Sequence, residues 1–400
     1  MSRVLFFRLF SRSGKNSPRN HTKRHKQKHF ASRIRGSCYV KSGTSLENGT
    51  PPCTAGCFLL ASFMRALAAL SLTLFVAPAL AQDKSFVVGE IEFYGYSHLQ
   101  LDRIKAALPL HEGDVIAIQN FPATKEKIMQ SVRREIGREA TDVSFTCCDN
   151  RTQLMIYIGL PGDSSQSFPY NPTPKGSAQL PQRILDLYDR EMDLTMEAIQ
   201  KQPGEDSSRG YGLAAYRPLR ERQLATREFV IHHELLIRRV LRSSAEPRHR
   251  QVAAHALGYA RQSRAQISAL VQASRDEDKT VRNNAVRALG VLALSSEKLA
   301  AWIPAETFVR MLNSGVWEDR NKAGGLLAVL SRGRDPRLLR LLRSEALESL
   351  IEMARWRDPN HASDARMILG RIAGIAEGRL QELVASGNMD EIINAVRTRK

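Results

Sequence analysis

Four phrases constrain the second half of this 400-residue chain more than anything else in it: "RQVAAHALGYA" (250–260), "RNNAVRALGVL" (282–292), "RNKAGGLLAVL" (320–330) and "ASDARMILGRI" (362–372). They recur after 32, 38 and 42 residues and keep Leu257, Leu289, Leu327 and Leu369 in one register. Shorter apolar helical stretches fall between them, at 266–274, 305–314 and 338–354. A helix pair cannot bury its apolar face alone, so a pair repeating every 30–45 residues predicts a stack of neighbours, an α-solenoid. Ala253, Ala256, Ala285, Ala288 and Ala323 are small enough to let those helices approach closely.

The phrase "DEDKTVRNNAVRALGVLA" (276–293) resembles the HEAT repeat, including its short bacterial form named after phycobilin lyases. The resemblance covers about 170 residues. It implies that Asp276 and Arg282, six apart, take part in an Asp–Arg ladder between repeats. Ser244 and Ser314 stand six before Arg250 and Arg320, so the ladder is expected to be interrupted. The lyase in the subfamily name implies no activity, because only the scaffold repeat is shared.

Residues 86–160 have a different rhythm. "FVVGEIEFYGY" (86–96) is rich in β-branched and aromatic residues and reads as a strand. Leu101, Ile104 and Leu108, then Ile128, Val132 and Ile136, mark one face each of two helices, the second stopped by Gly137. "DVSFTCCDNRTQLMIYIGL" (142–160) predicts two strands around Asp149-Asn150, residues that tolerate tight turns. The aromatic-Gly end of the first strand (Tyr94-Gly95), the first helix and the "L-x-x-G-D" phrase (110–114) together resemble a POTRA domain, the polypeptide-transport-associated module. That resemblance implies polypeptide docking in a bacterial envelope, in some cases by adding a strand to a sheet edge. No barrel-like strand series follows and no anchor that stays in the membrane precedes, so the jobs of the outer-membrane assembly and division families are not carried over.

The domains expected are a POTRA-like β-α-α-β-β domain (84–161), a Pro/Ser-rich linker (162–180), a helix (181–202), a loop (203–216) and HEAT-like repeats (217–400). The fold class is α+β overall and mostly α. Gly210-Tyr211-Gly212 lacks the strand-to-helix setting of a phosphate loop.

The N-terminal 81 residues differ again. Met64-Arg65, an apolar run to Val76 and Ala79-Leu80-Ala81 are the three parts of a signal peptide (64–81), with cleavage expected between Ala81 and Gln82. Residues 1–63 are polar, basic and without apolar period, hence expected to be disordered. A nucleic-acid arm, an extended targeting leader and a mis-assigned start with Met64 as the true first residue all account for them; an export signal after them favours the last. The net charge of +18 shrinks accordingly. Residues 1–63 hold twelve Lys or Arg against Glu47 alone, and without them and Arg65 the remainder carries +6. Cys38, Cys53 and Cys57 also lie before Met64. Cys147 and Cys148 remain, and adjacent strand cysteines point to opposite faces and are not expected to bridge each other.

No catalytic constellation is legible, and no catalytic, cofactor or metal site is expected. His232-His233-Glu234 is not H-E-x-x-H, and adjacent helical histidines point about 100° apart. His255 stands in a repeat helix, where an exposed position is expected. Residues 217–250 contain nine Arg against four Glu. Most such runs are solvated helix faces with pairs such as Glu234-Arg238. The alternative is a docking surface, with Arg238, Arg239, Arg242, Arg248 and Arg250 as candidates for an acidic protein or an anionic envelope surface. The expectation is an exported, periplasmic or extracellular, non-enzymatic scaffold that binds a protein partner, neither integral to the membrane nor bound to nucleic acid. The competing readings are a cytosolic basic protein using residues 1–63 on nucleic acid, and a lyase-like enzyme subunit.

Overall fold

The computed structural model describes residues 85–149 and 151–398. The basic leader, the signal-like stretch and the expected cleavage site at Ala81 and Gln82 lie outside the described residues.

Alternation in the first segment produces a four-stranded sheet. β1 (Ser85–Tyr94), α1 (Leu101–Ala106), β2 (Val115–Ala117), α2 (Phe121–Ile136), β3 (Asp142–Cys147) and β4 (Leu154–Gly159) follow in chain order. The sheet order is β2-β1-β4-β3, with β1 parallel to β4 and the other two pairings antiparallel. The short β2, absent from the sequence expectation, arises where the "L-x-x-G-D" turn is tied to β1: Gly113 donates its N–H to Val88 O and Val88 donates to Asp114 O, both at 2.8 Å. Gly137 ends α2 in the left-handed region at φ 71°, where an L side chain is strained.

β4 is buried along its whole length, which alternation explains. Leu154, Ile156 and Ile158 face the sheet's own helices, packing with Ile104, Ile128 and Val132. Met155 and Tyr157 face the other way and join the core of the helical region. The sheet is thus a middle layer.

The helical region comprises α3 (Gln182–Lys201), a two-residue hairpin of β5 (Glu205–Asp206) and β6 (Leu213–Ala214), α4 (Arg217–Ser243), α5 (Pro247–Leu257), α6 (Arg264–Ala273), α7 (Lys279–Ser295), α8 (Glu297–Ala300), α9 (Ala305–Met311), α10 (Trp317–Leu330), α11 (Pro336–Ala354), α12 (Pro359–Ile372), α13 (Glu377–Ser386) and α14 (Met389–Thr398). The four recurring phrases lie on α5, α7, α10 and α12, each packed on the next in a continuous second layer. α4, α6, α9, α11 and α13 form the first layer. Side-chain caps from Ser263, Asp278, Asp335 and Asp358 satisfy orphan N–H groups at helix starts. The chain is therefore α+β overall and mostly helical, a small sheet followed by an α-solenoid.

Two expectations are corrected. Cys147 and Cys148 are disulfide-bonded to each other. β3 ends at Cys147, so the strand alternation that set adjacent cysteines apart does not extend to Cys148. His255 is not exposed. Its Nε2 lies 3.0 Å from the buried Glu191 carboxylate, at the contact between α3 and α5.

Candidate interaction site

Three arginines occupy equivalent places in the first turns of α5, α7 and α10: Arg250, Arg282 and Arg320, all buried. A guanidinium carries five donors in a fixed fork, and burial requires that they be used. Arg250 donates from Nε and Nη2 to the Asp276 carboxylate at 2.8 and 2.9 Å, and from Nη1 to the carbonyls of Ser244 and Ala245. Arg282 repeats the pattern one pair later: two bonds to Asp319 at 2.7 and 3.1 Å, two to the carbonyls of Asp276 and Glu277. Arg320 donates to Ser314 O and to Glu352 Oε2 at 3.2 Å. Each arginine closes its own interhelix turn and reaches the acid of the next pair.

The expected interruption of this ladder does not occur. Asp276 and Arg282 are both in it but are not ion-paired with each other: Asp276 takes Arg250, and Arg282 takes Asp319. Where serine replaces the acid six before Arg320, Ser314 Oγ donates to Asp319 Oδ2 at 2.8 Å. The carboxylate has moved five residues along the turn, beyond the reach of a fixed-spacing motif. Burial alone would lower the pKa of Arg250 and Arg282, but the hydrogen bonds and charge of Asp276 and Asp319 outweigh it and both are raised. For Arg320 burial wins and its pKa is lowered, with Glu352 opposing.

Glu352 also joins the sheet to the solenoid. It accepts N–H bonds from Gly95, Tyr96 and Ser97 at 2.6, 2.9 and 3.1 Å and the hydroxyl of Ser164 at 2.5 Å. Consecutive backbone amides form such an anion nest when one residue is left-handed, and Gly95 stands at φ 71°. A Cβ at Gly95 would be driven into the Leu160 carbonyl. Beside the nest, Tyr157 stacks on Trp317 at 4.7 Å and meets Trp356 edge-on at 5.1 Å. Trp356 Nε1 donates to Phe93 O at 3.0 Å. Arg357 reaches across to Glu92 and Glu112.

Residues 162–180, expected as a linker, connect the sheet to α3 and are also hydrogen-bonded along the solenoid's interhelix turns. Arg320 Nη2 donates to Ser164 O at 2.6 Å. Gln166 N–H donates to Asn313 O at 2.7 Å, and Asn171 N–H to Arg275 O at 2.6 Å. Gly176 N–H donates to Ser243 O, and Ala245 N–H returns a bond to Gly176 O. Tyr170 lies over the Arg282 guanidinium at 4.2 Å, and Phe168 is buried. This strap visits the turns in the reverse of their chain order, so that Ser164 O meets Arg320 and the Tyr170 ring covers Arg282.

The five docking candidates separate into three places. Arg250 is buried in the ladder and offers no surface, which corrects its assignment. Arg248 pairs with Asp189 and stacks over Tyr188, both on α3. Arg238, Arg239 and Arg242 stay together on one side of α4 and line a groove of about 770 Å³ with Leu235, Leu241, α6 residues Ala265, Ala269 and Gln272, and Pro172 and Pro174 of the strap. Counting arginines along 217–250 merged these places because the turn at 244–246 reverses the chain between Arg242 and Arg248.

His233 breaks the helical conformation of α4 at φ −125°; its ring stacks on Phe229 at 4.2 Å, with Nδ1 2.8 Å from Phe229 O. Among the described residues no three His, Cys, Asp or Glu side chains are placed to hold a metal ion, and no helix is long and apolar enough to cross a membrane. The expected sheet edge is limited: β2 has three residues, and β3 carries buried Asp142, Ser144 and Thr146, with Asp142 accepting the N–H of Trp317 at 3.3 Å.

No curated protein matches the chain. Among solved structures it is similar to a designed armadillo repeat protein in complex with a (KR)4 peptide, at 14% identity over 46% of this chain and 87% of that one, with a TM-score of 0.33. It is also similar to an engineered protein, at 17% identity over 54% and 97%, TM-score 0.33. A third is a computationally designed armadillo repeat protein for modular peptide recognition, at 16% over 55% and 97%, TM-score 0.32. The family model for HEAT repeats matches residues 235–328. Those residues run from the middle of α4 into α10 and contain the first two rungs of the ladder, so this stretch of the α-solenoid is similar to HEAT repeats.

Proposed function

We propose that the protein is an exported, non-enzymatic scaffold of the cell envelope that binds a protein partner through its solenoid. The observation behind this reading is the α4–α6 groove: it joins a cationic wall to a strongly exposed leucine, while the ladder arginines Arg250, Arg282 and Arg320 are buried. The signal-like stretch at 64–81 supports export, and the resemblance of 84–161 to a POTRA domain supports an envelope setting. The sheet's role here is to be seated on the solenoid and to fix the strap, with strand addition a secondary route to partners.

The test places a photo-crosslinking residue at Leu235 in native cells and sequences the N-terminus of the purified chain. The expected result is one dominant adduct in the envelope or periplasmic fraction, lost in the Arg239→Glu/Arg242→Glu variant, on a chain beginning at Gln82. A cytosolic species retaining residues 1–63, or no adduct at Leu235, overturns the proposal.

A further inference from the structure

We propose that the α4–α6 groove seats an extended acidic segment of the partner protein, with carboxylates at two alternate positions and an apolar residue two positions before them. This rests on the scaffold reading above and specifies what the scaffold holds. Leu235, Arg238, Arg239 and Arg242 stand at i, i+3, i+4 and i+7, one stripe of α4. Facing them, Ala265, Ser268, Ala269 and Gln272 repeat the same spacing on α6. One wall is therefore cationic and the other small and uncharged, with buried Leu241 and Ala273 at the floor and the strap's Pro172 and Pro174 bounding the trough.

The charges in the groove do not balance. Glu234 lies 3.4 Å from Arg238, and Asp276 is taken up by both arms of Arg250. Among the described residues no carboxylate is ion-paired with Arg239 or Arg242, and both line the groove beside an uncharged wall. Leu235 is 75% exposed, the most exposed large apolar side chain described. Guanidinium forks match carboxylates bidentately, so the missing complement is an anion accompanied by an apolar group.

Spacing narrows the conformation. Arg239 and Arg242 are three residues apart, about 4.5 Å along the axis, and an extended chain advances about 6.6 Å per two residues, a difference the flexible arginine side chains take up. Side chains at alternate positions of a strand point the same way, so two such carboxylates reach both arginines. Leu235 lies four residues before Arg239, about 6 Å further along, where the apolar residue falls. A partner helix with carboxylates three or four residues apart would span a similar distance, and an eight-residue peptide is too short to hold a helix in water, so binding of such a peptide separates the two. A bilayer surface is flat and meets protruding cations, whereas these line a trough with an uncharged far wall.

The probe is a fluorescein-labelled peptide, Ser-Leu-Ser-Glu-Ser-Glu-Ser-Gly, titrated with the full chain at low salt and read by anisotropy. Saturable binding is expected, weakened at least tenfold by Arg239→Glu/Arg242→Glu or by glutamine in place of both peptide glutamates, and about threefold by Leu235→Ser. An unchanged melting temperature shows the double variant folded. The charge-matched Arg217→Glu/Arg379→Glu variant binds as the parent does. The inference is overturned by absence of saturation at millimolar peptide, by equal weakening in the charge-matched variant, or by binding of phosphatidylglycerol vesicles that the peptide does not displace. A specific Leu235 crosslink with no peptide binding removes the acidic segment and leaves the scaffold; loss of both removes the scaffold reading too.

Discussion

Arg250, Arg282 and Arg320 on one hand, and Arg238, Arg239 and Arg242 on the other, are the same residue type with opposite fates in the two layers of one solenoid. The first set is buried and held by acids and turn carbonyls, with the strap reaching Arg282 and Arg320. The second stands over a groove with Glu234 as its nearest counterion. What separates them is the supply of acceptors. Interhelix turns present carbonyls and a carboxylate to the first turn of each second-layer helix, and the exposed side of α4 presents neither. A desolvated cation is tolerated where every donor is used, and elsewhere it stays wet.

The largest effect expected from breaking this contrast is at Glu352. Glu352→Ala strands Arg320 and three backbone amides together, so a loss of about 4 kcal/mol is expected in denaturant unfolding, with early proteolysis within residues 161–181 as the sheet detaches. A loss below about 1 kcal/mol would show that the nest does not hold the sheet. Gly95→Ala attacks the same joint through the backbone and should cost about 2–3 kcal/mol by the same measurement.

Asp364 sharpens the comparison from the acid side. Burial pushes its carboxyl up to about 6 from 3.8, with Lys322 opposing. A carboxyl harder to ionise when folded contributes stability that is complete below its unfolded pKa and lost as pH rises through the folded one. Asp364→Asn should therefore raise the melting temperature at pH 7.5, by an amount equivalent to about 2 kcal/mol, and leave it unchanged near pH 3.5. The opposite pH trend would reverse the assignment. Tyr170→Leu removes the ring over Arg282 and should cost about 1 kcal/mol, with faster amide exchange at Asn171. At the bottom of the scale, Arg239→Glu should shift stability by no more than about 0.5 kcal/mol, since the side chain is exposed and without an ion pair among the described residues.

The helical stack was legible because a repeating unit writes its period into the sequence, and Leu257, Leu289, Leu327 and Leu369 sit buried where that period put them. The ladder was legible only in part. Its arginines keep register, but Asp319 and Glu352 reach them from positions that no fixed offset connects, and only folding brings Glu352 to Gly95. The strap was least visible. Proline, serine and glycine in residues 161–180 announce that no helix or strand forms locally, and say nothing about whether the extended backbone finds acceptors on another element. The groove was half legible: its three arginines were named, but the face of α6 that supplies the other wall, Ala265, Ser268, Ala269 and Gln272, carries no charge to draw notice.

The strap also bears on how the solenoid deforms. A stack of repeats behaves as a spring, because small rotations between neighbours add along its length. Here an inextensible chord is pinned at Ser164, Gln166, Asn171 and Gly176 to the turns of three successive helix pairs. Bending that opens those turns must stretch the chord or break a pin. The curvature of this molecule is accordingly set by the length of a thirteen-residue tether as much as by helix packing, and its repeats are expected to unfold together instead of peeling from one end.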